Sequence, residues 1–367
     1  MTTDAPTTAT LQWFTDVHDA PADSRPPLHP FRTRAWTRAW QRQNTERILA
    51  HRHATVTDHH SGLRETISFH LVPATGSPYW NSQETDAAVP PLWPGPVLWA
   101  GSPHAEYSGA GTATTATAQV LLDAGQDLAR ELGACALALP GLEPEQAERV
   151  ATIGGPRMLN LATDVAFTRR LDADHDLWWA AMPSAHRREA RRQWRRGTEA
   201  GLVLQAHTGT AARPLLNIFH GLAERTAGRH GSPLYGMDML HELADVPGAV
   251  LLAARHGDDL VGGIFGWLHN ATLYLWASGL NYDHPLAPRT YTWLMGEAAR
   301  WGIDNGATHI DAGRWNCQAK TRLGYQPTVL RTAVHLTAPD PATEARLRDL
   351  SDRLGASAAP FINGHRW

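Results

Sequence analysis

GAVLLAARHGDDLVGGIFGWLHNATLYLWASGL (Gly248–Leu280) consists of three apolar runs that are separated by two short polar breaks. The first break is GDD at 257–259 and the second is HN at 269–270, and residues of these types favour tight turns. Apolar runs of this length between turns are typical of strands rather than of helices. The stretch therefore predicts three consecutive antiparallel strands.

The sequence on both sides of this stretch alternates helical and extended patterns. After it, the pattern predicts a helix over 288–307, a buried strand, a final strand and a C-terminal helix. Before it, an arginine-rich helix, a strand and two further helices are expected. This order indicates an α/β fold with mixed, mostly antiparallel sheets flanked by helices.

The first half of the chain carries weaker signals. Residues 30–45 predict a short helix with Trp36 and Trp40 on one face. Residues 79–103 are rich in proline, whose fixed φ angle and missing N–H group predict a loop here. Residues 1–10 are rich in Thr and Ala and are expected to be disordered.

Two segments of the chain resemble each other. AQVLLDAGQDLARELGACALAL (118–139) and TWLMGEAARWGIDNGATHIDAG (292–313) both read as a long helix, a Gly-Ala break and a buried strand. This internal similarity suggests two copies of one α/β unit, and a length of 367 residues also favours two domains. We expect an N-terminal domain over 1–165, a C-terminal domain over 166–340, and a C-terminal helix and tail over 341–367.

The composition limits the classes of function. A net charge of −3 and a pI near 6.7 give no global reason to bind nucleic acid or an anionic membrane, so any basic site must be local. Cys135 and Cys317 form no disulfide framework, and the 20 histidines show no metal-ligand spacing, so no metal is predicted. No signal peptide and no membrane-spanning run is recognisable, and we expect a cytoplasmic protein.

Lys320, in NCQAKTRLGYQP (Asn316–Pro327), is the only lysine among 33 basic residues. Lysine and arginine are not interchangeable where geometry matters, so this position suggests a specific role for an ammonium group. The alternative is a surface lysine that is present by chance. A GC-rich coding sequence favours arginine codons over lysine codons, and this bias alone would explain why lysine is rare.

The second half resembles the GNAT acyltransferase fold. The whole chain looks more like the two-domain branch of this superfamily. That branch includes the Fem family of peptidoglycan aminoacyltransferases and acetyltransferase-like relatives. The resemblance implies two tandem GNAT-like domains, of which the first is degenerate. The resemblance covers about 182–327. It rests on the segments MPSAHRREARRQWRRGTEAGL, LAERTAGRHGSPLY, DLVGGIFGWLHNATLYLWASG, APRTYTWLMGEAARWGI and HIDAGRWNCQAKTRLGYQP.

The resemblance implies roles for single residues. Fem enzymes carry a Phe-Lys pair before a Gly-aromatic step, and AKTRLGY places Lys320 at the matching position, although Ala319 replaces the aromatic residue. The implied role of Lys320 is to contact the tRNA end and to stabilise the charge on the ester carbonyl, which suits a compact ammonium group. Asp311 would orient the acceptor amine or accept its proton, or alternatively pair with Arg314. The expected substrate-binding residues are Tyr235, Trp276, Ser278, Tyr282, Arg289 and Arg314, although such aromatic residues are also common in cores.

The expected donor loop lacks the residues of a pyrophosphate site. CoA-dependent GNAT proteins hold the pyrophosphate with backbone N–H groups of a glycine-rich loop at a helix N-terminus. Here that loop reads LNYDHPLAPRTYTW, without glycine, and Pro285 and Pro288 each remove an N–H donor. Arg289 could still contact a phosphate. We therefore favour a donor other than acyl-CoA.

HRREARRQWRRG predicts a helix with a concentrated positive charge. Spacings of four place its six arginines on two adjacent rows of the helix. Contact with an RNA backbone would neutralise them, and so would acidic residues from elsewhere in the fold. The predicted tRNA-binding residues are Arg187, Arg188, Arg191, Arg192, Arg195 and Arg196.

Together these features predict an acyltransferase that forms an amide bond. The donor would be an aminoacyl-tRNA, used as a co-substrate without any cofactor. The acceptor would be an amine of a small molecule or a peptidoglycan precursor, in cell-wall or specialised-metabolite biosynthesis. The alternatives are acyl-CoA-dependent N-acyl transfer and a non-catalytic RNA-binding role.

Overall fold

The structure is a computed structural model that describes residues 9–107, 114–229 and 235–362. The chain forms two compact units. The first unit contains the described residues up to Gln41, Glu46–Asp164 and Val329–Ser357. The second contains Arg42–Thr45, Val165–Thr328 and the described residues from Ala358.

The strands and helices follow one another along the chain. From the N-terminus to the middle of the chain they are β1 (Ala9–Phe14), α1 (Arg34–Arg42), β2 (Ala50–Asp58), β3 (Arg64–Val72), α2 (Pro78–Asp86), β4 (Val97–Ala100), α3 (Thr115–Glu131), β5 (Ala136–Leu142), α4 (Pro144–Gly154) and β6 (Met158–Arg170). The rest of the chain forms α5 (His175–Ala180), α6 (Ser184–Glu199), β7 (Val203–Thr208), α7 (Arg213–Gly228), α8 (Met237–Leu243), β8 (Ala249–His256), β9 (Asp259–His269), β10 (Thr272–Leu280), α9 (Ala287–Asp304), β11 (His309–Asp311), α10 (Cys317–Arg322), β12 (Gln326–Leu336) and α11 (Pro341–Ile362).

Each unit contains five strands in the order in which they occur along the chain, with a sixth strand beside the fifth. The sixth strand is the last one along the chain in the first unit and the first one in the second unit. In the first unit the order is β1-β2-β3-β4-β5-β12, and in the second it is β7-β8-β9-β10-β11-β6. The neighbours are antiparallel except for β4 with β5 and β10 with β11, which are parallel and joined by the helices α3 and α9. The expected fold class and the expected internal repeat are confirmed.

The predicted meander is present as β8, β9 and β10. Gly257 has a φ of +56°, and Asn270 and Ala271 have φ of 46° and 57°, so both connections use the left-handed conformations of tight hairpins. Trp267 on β9 lies opposite Ala249 on one side and Tyr274 on the other.

The C-terminal boundary differs from the expected one. Residues 329–357 cluster with the first unit because β12 pairs with β5, with Ala333 opposite Leu139. Leu347 and Leu350 of α11 pack in the core of the same unit.

Two expectations for the first half are wrong. Residues 79–103 contain a helix and a strand, since Trp80 of α2 and Trp99 of β4 pack 5.3 Å apart in a buried cluster with Trp93. This packing outweighs the local preference of proline for loops. Thr10 lies in β1, paired with Thr57, and not in a disordered segment; residues 1–8 of that expectation lie outside the described residues.

Candidate active site

A cavity of about 220 Å³ lies where β10 and β11 separate in the second unit. The two strands pair only from Thr272–Tyr274 with His309–Asp311, after which β11 ends and β10 continues. The register of β10 also shifts between Leu275 and Ala277, so a bulge places Trp276 at the opening. This volume is smaller than the roughly 300–1,000 Å³ of pockets that enclose a drug-sized ligand. It suits a reacting group rather than a whole substrate.

Six of the predicted residues line this cavity. They are Tyr235, Trp276, Ser278, Tyr282, Arg314 and Lys320. They come from distant parts of the chain, and the separation of the two strands brings them together. Asp311 and Arg289 do not line it. Asp311 is 3% exposed and accepts a hydrogen bond from the Gly313 N–H at 2.7 Å, while Arg289 is half-buried in the first turn of α9.

Lys320 is buried, with 3% of its surface exposed. Its Nζ donates a hydrogen bond to the Arg314 carbonyl at 2.6 Å and lies 5.6 Å from the centre of the Phe167 ring. The alternative of a chance surface lysine is therefore wrong.

Aromatic rings form much of the cavity wall. The Tyr235 and Trp267 rings both meet the Trp276 ring edge-on, at centroid distances of 5.3 and 5.5 Å. The Arg229 guanidinium lies 3.6 Å above the centre of the Tyr282 ring, in the geometry of a cation–π contact. The apolar part of the wall also includes Ile264, Leu275, Leu280 and Met295.

Tyr291 and Asn316 also line the cavity, although no sequence motif indicated a role for them. The Asn316 side chain hydrogen-bonds the Tyr291 hydroxyl, while burial raises the pKa of Tyr291 above its ordinary value. Asn316 and its neighbour Trp315 both have left-handed backbones, with φ of 50° and 62°. The only feature of the sequence that indicated a left-handed backbone here was the asparagine, which adopts this conformation more readily than most residues.

The loop between β10 and α9 uses most of its own N–H groups. Pro285 and Pro288 have none, and within the described residues Tyr282 is the one position from 281 to 289 whose N–H shows no internal acceptor. The other N–H groups donate to carbonyl oxygens or side chains of the same unit; they belong to Asn281, Asp283, His284, Leu286, Ala287 and Arg289. The side chain of Asp283 adds a negative charge that pairs with Arg225.

The arginines of α6 fall into two groups. Arg191 pairs with Asp176, Arg192 pairs with Glu189, and the half-buried Arg187 donates to the Met182 carbonyl. The remaining arginines are exposed and form no ion pair within the described part of the chain; these are Arg188, Arg195 and Arg196. Acidic residues therefore neutralise only part of this helix.

Residues 184–321 match the family model described as the acetyltransferase (GNAT) domain. The second unit carries a GNAT domain. The matched range runs from α6 to α10 and includes Lys320, so it contains every element that lines the cavity. The match supports acyl transfer as the chemistry of this domain.

Solved structures share the fold of the GNAT domain and of much of the rest of the chain. The structure of FemX is 10% identical, with a TM-score of 0.53, and the match covers 77% of this chain and 87% of FemX. The structure of L-PGS from Bacillus licheniformis is 11% identical, with a TM-score of 0.50, covering 78% of this chain and 86% of that one. A comparison with curated proteins found no match. Among the described residues, no helix is long and apolar enough to cross a membrane.

Proposed function

We propose that this protein forms an amide bond by transferring an aminoacyl group from an aminoacyl-tRNA to an amine. The acceptor is a small molecule or a peptidoglycan-type precursor, and the reaction needs no cofactor beyond the charged tRNA. The proposal places the protein in the cytoplasm, where charged tRNA is made. Acyl transfer itself is supported by the GNAT domain; the donor is the part that we propose.

The chemistry joins an amine nitrogen to an ester carbonyl carbon. As the C–N bond forms, the π electrons of the carbonyl move to its oxygen, which becomes an oxyanion. The oxyanion then collapses, the C–O bond to the ribose breaks, and the ribose oxygen takes up a proton as the attacking nitrogen loses one. The ammonium of Lys320 lies in the cavity where it would stabilise the oxyanion.

The observation that carries the choice of donor is the loop between β10 and α9. A pyrophosphate bound at a helix N-terminus needs several free backbone N–H groups that point at it. Here two residues are prolines, and the loop's own hydrogen bonds occupy nearly all the other N–H groups. A loop of this kind is a poor site for the pyrophosphate of CoA.

The exposed arginines of α6 support an RNA-bearing donor. Arg188 and Arg195 are two helical turns apart and Arg196 is adjacent, so the three charges follow one side of α6. Exposed guanidinium groups on one side of a helix can contact phosphates of a nucleic acid backbone.

Acyl-CoA is the second candidate donor, and one observation favours it. The family model that matches residues 184–321 describes an acetyltransferase. A transfer from acyl-CoA would use the same cavity and the same oxyanion, with a thiolate as the leaving group in place of the ribose oxygen.

Titration calorimetry with acetyl-CoA separates the two donors. We expect no binding at micromolar concentrations, because the loop at 281–289 offers too few N–H groups. Micromolar binding of acetyl-CoA would reverse this choice of donor.

A further inference from the structure

The chain turns sharply into α10 through two residues in the left-handed conformation. Trp315 and Asn316 have φ of 62° and 50°, and both line the cavity. A left-handed backbone costs a residue other than glycine on the order of 1–3 kcal/mol. Unlike Asn270 and Ala271, this pair lies between a strand and a helix, so the geometry of a β-hairpin does not explain it. The surrounding structure must therefore gain something from this turn.

The turn places two polar groups at the cavity. It brings the Arg314 carbonyl to 2.6 Å from the Nζ of Lys320, four residues beyond Asn316. It also brings the Asn316 side chain to the Tyr291 hydroxyl on α9. One strained turn thus holds both Lys320 and Tyr291 in place.

Tyr291 is held as a neutral phenol. Burial raises its pKa, and this effect is larger than the opposing effect of the Asn316 side chain. Tyr291 therefore keeps its O–H group at the cavity wall. Because burial raises the pKa of this phenol, the proton stays on the oxygen throughout the neutral and moderately alkaline range.

We propose that Tyr291 is a second catalytic residue, whose O–H group and the Lys320 ammonium together bind the oxyanion, and that Asn316 is the positioning residue for both. This inference rests on the proposed acyl transfer and adds a donor to it. Tyr291 gives up no proton; its hydrogen bond to the carbonyl oxygen shortens as charge develops there and relaxes when the oxyanion collapses.

The first test compares two Tyr→Phe substitutions. Tyr291→Phe removes one hydroxyl and keeps the ring, and we expect kcat to fall about 100-fold with little change in KM, since the donor acts mainly in the transition state. Tyr325→Phe is the matched control: Tyr325 is fully buried, lies outside the cavity lining, and its hydroxyl has no hydrogen-bond partner among the described residues. Full turnover of Tyr291→Phe would overturn the inference.

The second test does not depend on turnover. Methylphosphonate is a small oxyanion, and its binding to the purified protein can be followed by phosphorus NMR. We expect Tyr291→Phe and Lys320→Met each to weaken binding about 10-fold or more, and Tyr325→Phe to leave it unchanged. Equal binding by Tyr291→Phe and the wild type, or no binding by the wild type, would contradict the paired site. Weakened binding together with no product from any donor would instead contradict the proposed function and leave the paired site standing.

Asn316→Gly tests the positioning role. Glycine adopts the left-handed backbone without steric cost but lacks the amide that contacts Tyr291. We expect the variant to be as stable as the wild type or more so, yet to lose methylphosphonate affinity by a similar factor to Tyr291→Phe. Wild-type affinity in Asn316→Gly would show that the left-handed turn serves the fold alone.

Discussion

Lys320 combines a buried stem with an ammonium group at the cavity wall. Its Nζ donates a hydrogen bond to the Arg314 carbonyl and lies 5.6 Å from the centre of the Phe167 ring. A guanidinium at this position would keep the charge, but its longer and planar head would not fit the same contacts. The site therefore depends on the shape of the side chain as well as on its charge.

Lys320→Arg should lose most of the activity while the protein stays folded. Removing one oxyanion donor costs on the order of 10²–10³ in kcat, and we expect a loss of this size with KM nearly unchanged. Arg322→Lys, the reverse substitution at an exposed position of α10, is the matched control. Steady-state kinetics with a thermal melt of each variant provides the measurement. Near wild-type turnover of Lys320→Arg would refute the catalytic role.

Single residues show where sequence reasoning works and where it ends. The place of Lys320 in the cavity was predictable because it is the only lysine of the chain and lies in a motif. The places of Tyr291 and Asn316 were not, because a contact between α9 and the turn before α10 brings them together, and spacing along the chain does not encode this contact. Asp311 does not line the cavity, and its carboxylate accepts a hydrogen bond from the Gly313 N–H, so its role in the site stays a prediction.

At the scale of elements, α6 presents three exposed arginines without an ion pair among the described residues. Arg188→Glu with Arg195→Glu should weaken tRNA binding several-fold or more. It should also make the slope of log affinity against log salt concentration less negative by about 1.8. Each of the two lost phosphate contacts contributes about 0.9 to the size of that slope. Filter binding over a range of salt concentrations measures both quantities.

The control for this charge reversal is a double variant on α11. Arg348→Glu with Arg353→Glu changes the net charge equally on a helix of the first unit, where both arginines already pair with acidic neighbours. We expect this control to bind tRNA like the wild type. If both double variants weaken binding equally, the effect is one of overall charge and α6 is an ordinary solvated helix.

The strands β2 and β3 carry two buried histidines whose protonation links stability to pH. Burial lowers the pKa of His53 to about 4 and that of His70 to about 3. The folded state keeps both rings neutral, whereas the unfolded chain binds protons below about pH 6.5. Because the unfolded state then holds more protons, the free energy of unfolding is highest above about pH 6.5 and falls as the pH drops towards 4.

His70→Phe should reduce this dependence. Removing one such histidine lowers the slope of unfolding free energy against pH by up to about 1.4 kcal/mol per pH unit between pH 6 and 4. Urea unfolding of the variant at several pH values, beside the exposed-site control His60→Phe, gives the slopes. An unchanged slope in His70→Phe would mean that this ring is protonated in the folded state.

Elements were predictable where their pattern was strong. The meander from 248 to 280 follows from its turns and apolar runs, and the helices that lead to it and from it follow from their periodicity. The elements α2 and β4 were missed because prolines dominate their sequence, whereas a cluster of tryptophans from separate segments holds them in place. Packing of this kind depends on residues far apart in the chain.

For the whole molecule, the main organising fact is that the two units share the order of five consecutive strands and add a sixth strand at the same place in the sheet. Each unit has a parallel pair of strands joined by a helix, and in the second unit the separation of that pair forms the cavity. The internal similarity predicted the repeat, but it did not predict that residues 329–357 complete the first unit. Local sequence cannot show which sheet a terminal strand will join.

The most direct test of the account is a comparison of donors with the whole protein. The purified chain is incubated with a panel of amines and either a pool of tRNA charged with labelled amino acids or a panel of acyl-CoA thioesters, and the products are identified by mass. We predict an amide product, with discharge of the tRNA above its spontaneous rate, only from charged tRNA, and its loss in Lys320→Arg. Amide products from acyl-CoA and none from charged tRNA would contradict the account.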